Sequence, residues 1–284
     1  MLTALVPMIV LLLGFPAAAF GQSSSASRDR HAASRDRIAA LARTLRQDIG
    51  IHPEDAERQL SIASRTVVEV EHEVDRYLST LDAMKADANS VLVDLKDVLK
   101  PLGEFTEKSL FASIWQRDSV PPGVRCNYSP RTAPLPLERS LIVAFGVYKE
   151  FNQSSMTSRA YRAVNGRFTF VDAANSDFEN YAELSTRELH SFRSSSCDPA
   201  RQAWFLMWGQ KITANGPSIR MKAYSFDGRK LQTAWGPENT WGSWTVTVTK
   251  RGFVVDGEWY KPGPNGVSRR HDEYVVTEDG FFRF

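Results

Sequence analysis

The residues of this 284-residue chain that carry acid–base or nucleophilic chemistry are few and scattered. Of the five histidines, His31, His52 and His72 fall in the first third, and His190 and His271 come later. The most polar groupings are Arg269-Arg270-His271-Asp272 and Glu188-Leu189-His190. A histidine beside a carboxylate can serve as a general base, provided a partner holds the ring in place. The acids Asp256, Glu258 and Asp279 sit in or beside turns, where turn chemistry accounts for the aspartates. No Gly-x-Ser-x-Gly, phosphate-binding glycine loop, His-Glu-x-x-His or Cys-x-x-Cys occurs. The catalytic residues, if there are any, are therefore unknown at this level, and neither a metal nor a cofactor is expected. Cys126 and Cys197 are the only cysteines, and neither has His or carboxylate neighbours at ligand spacing. In an oxidising compartment they are expected to pair, which on the chain-entropy account stabilises the fold by roughly 4 kcal/mol.

The aromatic residues are more informative, because six of the seven tryptophans lie between Trp204 and Trp259. Trp204 and Trp208 share one face of a strand, and rings of this size pack β cores. The run from Trp235 through Asn239 and Trp241 to Trp244 is different. It sets tryptophans around a Gly/Pro/Asn loop, where recognition is a natural use. Trp235, Asn239, Trp241 and Trp244 are the expected ligand-binding residues, for a glycan or a protein.

These residues must be positioned by two unlike halves. The chain opens with Ala4–Phe15, an apolar run of signal-peptide length, then Pro16 and three alanines. Export is expected, with cleavage after Ala19 or Gly21 and a secreted or periplasmic mature chain. No later segment is apolar enough for a membrane span. A formal net charge of +2 is too balanced to predict nucleic-acid binding. Residues 22–119 are expected to be helical. Ala26–Arg30 (ASRDR) recurs one heptad later at Ala33–Arg37, and Gly50 and then Pro53 divide two helices. From Leu60 to Leu102 two interleaved series seven apart, Leu60, Val67, Val74, Leu81, Ala88, Leu95, Leu102 and Ala63, Val70, Tyr77, Met84, Val91, Val98, are apolar at every position, as in a coiled-coil seam. As one helix from Pro53 to Lys100 it would reach about 70 Å. The first helix covers only about half of it, so Tyr77–Leu102 is expected to meet Glu104–Trp115 folding back, a partner helix or a second copy.

Residues 120–284 alternate short β-rich runs with turn dipeptides, among them Asn165-Gly166, Asp227-Gly228 and Asp279-Gly280. A weak repeat relates Gly146, Tyr161 and Asn165-Gly166-Arg167 to Gly209, Tyr224 and Asp227-Gly228-Arg229, at offsets of 63 and 62 residues. Tyr274 with Asp279-Gly280 makes a partial third copy. Each unit, with its Tyr-x-Phe-Asp-Gly-like turn, resembles a blade of a β-propeller. Propellers close with about four blades, so an antiparallel sandwich or open barrel is expected instead. The closing residues Gly280–Phe284 (GFFRF) resemble the last strand of outer-membrane barrels. The strands before them, however, carry Lys222, Arg251 and Asp272 and have no lipid face. The fold class is therefore α+β: a long antiparallel helical hairpin or coiled coil followed by an antiparallel β domain. The expected function is that of an exported, non-enzymatic binding protein. The alternative is an extracytoplasmic hydrolase of envelope or extracellular polymers. Asn127 and Asn152 stand in glycosylation acceptor sequences.

Overall fold

The computed structural model describes residues 22–46, 53–117, 138–149, 153–175, 183–189, 203–213, 216–226, 228–236, 240–260, 266–277 and 280–283. The signal-like segment, Cys126, Cys197, Asn127, Asn152, His52, His190 and Asn239 lie outside the described residues. Among those described, the chain is α+β. Helices α1 (Gln22–Leu45), α2 (Pro53–Leu78), α3 (Ala88–Leu99) and the short α4 (Glu104–Ser109) precede twelve strands. The strands are β1 (Phe111–Arg117), β2 (Glu138–Lys149), β3 (Gln153–Val164), β4 (Arg167–Asn175), β5 (Glu183–Leu189) and β6 (Ala203–Thr213). They continue as β7 (Gly216–Phe226), β8 (Leu231–Trp235), β9 (Thr240–Val248), β10 (Gly252–Tyr260), β11 (Val267–Thr277) and β12 (Gly280–Arg283). No helix among the described residues is long and apolar enough to cross a membrane.

The continuous helix expected over Pro53–Lys100 is not formed, and this corrects the coiled-coil reading. Heptad positions within the two helices are buried, Val67, Val70, Val74 and Tyr77 on α2 and Val91, Leu95 and Val98 on α3, whereas Met84 between them is exposed. The two halves are nevertheless separate helices. At the end of α2, Ser79 and Thr80 turn their hydroxyls back onto the carbonyls of Arg76 and Tyr77, both at 2.7 Å. The carbonyls left open beyond them are taken up by the sheet. Arg167 donates to Thr80 at 3.0 Å, Arg139 donates to Met84 at 2.7 Å and also to Ala86, and the Ala83 N–H donates to the Gly166 carbonyl at 2.8 Å. Asp87 then caps α3, accepting from the N–H groups of Asn89 and Ser90 at 3.0 Å, while the Ser90 side chain closes a capping box. The chain gives up about two turns of helix. In exchange it gains a connection whose polar groups are satisfied by β2 and the β3–β4 turn.

The break folds α3 back beside α1 and α2. His31 meets Tyr77 and Arg37 meets Glu73, so α1 and α2 run antiparallel. Arg35 and Arg46 of α1 reach Asp97 and the Pro101 carbonyl on the other side. The three helices share one apolar core with Leu141, Val143, Phe145, Val147, Tyr161 and Phe168 of the first sheet. Leu78, Val91, Leu95, Val98 and Leu99 thus find their cover within the chain. Each such side chain, fully buried, contributes about 1.5–3 kcal/mol. The segment Glu104–Trp115 also departs from expectation: it is one short helix followed by β1, which pairs antiparallel with β2.

The strands form three antiparallel meanders of four, β1–β4, β5–β8 and β9–β12, stacked in layers. The face of the first meander turned away from the helices packs Ile142, Ala144, Met156 and Ala160 against Phe205, Met207, Tyr224 and Phe226 of the second. The opposite face of the second packs Leu206, Ile219, Met221 and Ala223 against Trp244, Phe253 and Val255 of the third. The third meander starts from the edge of the second, where β9 pairs with β7 at Ser218–Trp241 and Ile219–Thr240. Just beyond, β8 takes over the same edge of β7.

The repeat seen in the sequence corresponds to this division. Gly146 and Gly209 lie on second strands of their meanders, and Tyr161, Tyr224 and Tyr274 on third strands. In the first two meanders the pairing slips at the same place, between Ala160 and Tyr161 and between Ala223 and Tyr224. Such a slip re-aims the side chain beside it, and both tyrosines are buried. Asn165 and Gly166 both have positive φ, at 51° and 75°, as a two-residue hairpin turn demands. Strands β1 and β5 carry too many polar residues to stand out as β runs in the sequence.

A single ionic cluster fastens the helices to the sheet. Arg159 of β3, almost wholly buried, donates through Nε to Asp75 of α2 at 2.7 Å, makes a second bond to the same carboxylate, and donates to Glu71 at 3.1 Å. The Tyr161 hydroxyl donates to Asp75 at 2.7 Å, and the Phe170 ring lies 4.4 Å from the guanidinium. Burial raises the Glu71 carboxyl above its ordinary value, opposed by Arg159 and by a hydrogen bond from Thr157. The Tyr161 hydroxyl is raised well above its ordinary value, by burial first and by Asp75 second.

Candidate functional site

The candidate site lies at one end of the layer between the second and third meanders. Strand alternation decides which residues reach it. Across β9, β10 and β11 the register aligns Trp244, Gly257 and Arg270 in one row and Gly242, Trp259 and Ser268 in the next. All six face the second meander. The Trp244 ring lies over two glycines. A methyl group at Gly257 would fall 2.8 Å from the ring and 2.2 Å from the Ser243 carbonyl oxygen. One at Gly242, where φ is 146°, would fall 2.8 Å from the indole nitrogen and 1.8 Å from the Glu258 carbonyl oxygen. Only glycine admits this approach. Gln210 of β6 donates to the Trp244 carbonyl at 2.7 Å, tying β9 to the layer beneath.

Three further polar features stand in this layer. The Trp244 indole N–H is buried and has no acceptor among the described residues, which costs about 1–3 kcal/mol. Arg270 lays its guanidinium over the Trp259 ring, 4.7 Å from the centroid. The same guanidinium pairs with the buried Asp272 at 3.1 Å.

The polar cluster Arg269-Arg270-His271-Asp272 is split by the same alternation. Arg270 and Asp272 point inward, whereas Arg269 and His271 point to solvent. There His271 meets Asp256, its cross-strand partner, through Nδ1 at 2.5 Å. The Asp256 hydrogen bond, and then its charge, raise the imidazole above the ordinary histidine value. The pair is an oriented base on an open surface, and Arg269 and Glu258 lie beside it, 3.9 Å apart.

The expected ligand-binding residues are not gathered into one place. Trp235 packs against Phe253 at 5.3 Å and Tyr274 at 4.8 Å. Trp244 lies level with Gly257 on β10, four residues from Phe253, or about 13 Å along the strand. Both belong to the inter-sheet core. Trp241 pairs through its backbone with Ser218, and Asn239 lies outside the described residues. Trp204 and Trp208 also pack against this core. Of the other histidines, His72 is exposed, and His31 sits 3.7 Å from Asp97 and edge-on to Tyr77. The stack of Arg270 on Trp259 was missed in the sequence. The signal available was the i, i+2 spacing of Arg270 and Asp272, which puts both on one face of a strand. Among the described residues no three His, Cys, Asp or Glu side chains converge as metal ligands. We find no match to this chain among protein-family models, among curated proteins or among solved structures.

Proposed function

We propose that this chain is an exported binding protein, in which the helical bundle buttresses a β stack that recognises its ligand at the Trp259 end of the last meander. The observation that supports this reading is the Arg270–Trp259 stack beside the unpartnered Trp244 N–H. A half-buried aromatic face, a guanidinium held in place and a donor with nothing to bond form a surface ready for a ligand. Export rests on the apolar leader at Ala4–Phe15, and the compartment it implies suits a bridge between Cys126 and Cys197. The three meanders, with a tyrosine on each third strand and a matching slip in the first two, read as copies of one blade-like unit.

The test is intrinsic tryptophan fluorescence of the mature chain, titrated with envelope polysaccharides and then with extracellular protein fractions. A saturable spectral shift that is lost in Trp259→Ala or Trp241→Ala supports binding here. No shift with any fraction would return these rings to a purely packing role. The hydrolase reading draws on one other observation, the exposed Asp256–His271 pair. It requires turnover of an envelope or extracellular polymer that disappears in His271→Ala while the fold survives. Self-association through Tyr77–Leu102 is the weaker proposal, since that face already has cover within the chain.

A further inference from the structure

The polar features at the Trp259 end of the last layer do more than mark a surface, because packing does not account for them. An inward arginine on β11 sits beside a cluster formed by Phe253, Val255, Trp244 and Tyr274. A buried ion pair such as Arg270–Asp272 is commonly matched or bettered in stability by apolar side chains of similar volume. The Trp244 N–H is a further cost without return. Trp244, Arg270 and Trp259 lie within two adjacent rows of one sheet, Trp244 and Arg270 flanking Gly257 and Trp259 standing opposite Gly242, with Asp272 in the row beside them.

Their chemistry is one-sided. The indole nitrogen only donates, and so does a guanidinium. Asp272, the one carboxylate turned the same way, is buried and engaged by Arg270. Among the described residues the guanidinium engages Asp272 on one side and the Trp259 ring on its face, which fixes its plane. A ligand that fits must bring acceptors, and a carboxylate answers a planar guanidinium better than a hydroxyl does. It must also offer a flat or ringed body to lie along the indole of Trp259.

Resting on the binding reading above, we propose that the ligand is a glycan bearing uronic acids. Its carboxylate meets Arg270, its ring lies against the Trp259 edge of the site, and a ring or hydroxyl oxygen takes the Trp244 N–H. Because the Trp244 nitrogen is shielded from solvent, the last contact forms only as the Gly242 end of β9 shifts. Binding therefore changes the emission of a buried tryptophan.

The experiment titrates the mature chain with oligogalacturonate and with its methyl ester, which keeps the rings and removes the charge. Fluorescence and calorimetry are read together, and an acidic peptide serves as a third probe. The acid is expected to bind about tenfold or more tightly than the ester, as one charged hydrogen bond dictates. Arg270→Met is expected to erase that preference, and Trp244→Phe, which keeps the ring and removes the N–H, to weaken the acid about tenfold. Should Arg270→Met fail to fold, Trp244→Phe alone carries the test. Equal binding of acid and ester, still sensitive to Trp259→Ala, would overturn the uronic-acid proposal and leave the binding reading standing. Retention of the acidic peptide in place of the glycan would likewise overturn the ligand class. No response to these probes or to any polysaccharide or protein fraction would overturn both.

Discussion

Arg159 on β3 and Asp75 on α2, 84 residues apart in sequence, meet through two hydrogen bonds with Arg159 almost fully buried. This contact joins the helical bundle to the first sheet. Removing one partner of a buried pair strands the other charge, which costs about 3–5 kcal/mol. Asp75→Ala and Arg159→Ala are each expected to lower stability by about that amount in urea unfolding. Because they remove the same contact, the double variant is expected to lose much less than the sum. Additive losses would mean that the two residues act independently.

Glu71, in the same cluster, predicts a pH dependence. Burial raises its folded carboxyl above the ordinary value of 4.5. The stability it contributes is therefore fully present below the unfolded value and is lost as pH rises through the folded one. Glu71→Gln, which stays neutral throughout, is expected to lack that loss. Unfolding measured at a series of pH values from acid to neutral checks this: the difference between native chain and variant must shift in favour of the variant as pH rises. An unchanging difference would refute the assignment.

Asp87 is the cap that restarts the helix after the break. Asp87→Ala is expected to cost about 1 kcal/mol, within the usual 0.5–2 for a lost N-cap. A parallel loss of amide protection over Asn89–Val91 in hydrogen exchange would place the effect at the start of α3. If α2 and α3 were one helix in solution, the same substitution would be neutral or mildly stabilising, since alanine is the better helix former.

The exposed His271 is expected to titrate above the ordinary histidine value of 6.5, because Asp256 accepts from its ring. Its raised value adds stability that is present below the unfolded value and is lost as pH rises through the folded one. NMR titration of the imidazole checks the shift, and Asp256→Asn is expected to bring the histidine back down. An unshifted His271 in the native chain would remove the pair as an oriented base.

Much of the fold was legible locally. The helix-to-strand change of period, the short β runs and the positive-φ turn at Asn165-Gly166 depend on neighbours a few residues away, so they show in the sequence. The heptads between Leu60 and Leu102 marked the buried side chains within each helix, Val67 to Tyr77 and Val91 to Leu102, but failed at the break, where Met84 is exposed. They said nothing of whether one helix or two would carry them, because the spacing stays in phase across the break. Asp87 with Ser90 was the one local hint of a new helix start. The candidate site was less legible. The Trp235–Trp244 run drew attention to the right strands, yet Trp235 and Trp244 are separated along the layer, and the stack on Trp259 comes from a residue in the next hairpin.

The sequence by itself determined the apolar leader, the α-then-β order, the repeat of about 62 residues and the crowding of tryptophans into the last third. These are matters of composition and period, which need no knowledge of what lies across the core. Tertiary structure alone decided that α2 stops at Leu78, that Arg159 finds Asp75, and that Arg270 turns inward onto Trp259. Each depends on a partner supplied from another element. The energy of a buried charge or an open carbonyl is settled by what stands opposite it, and no local pattern encodes that.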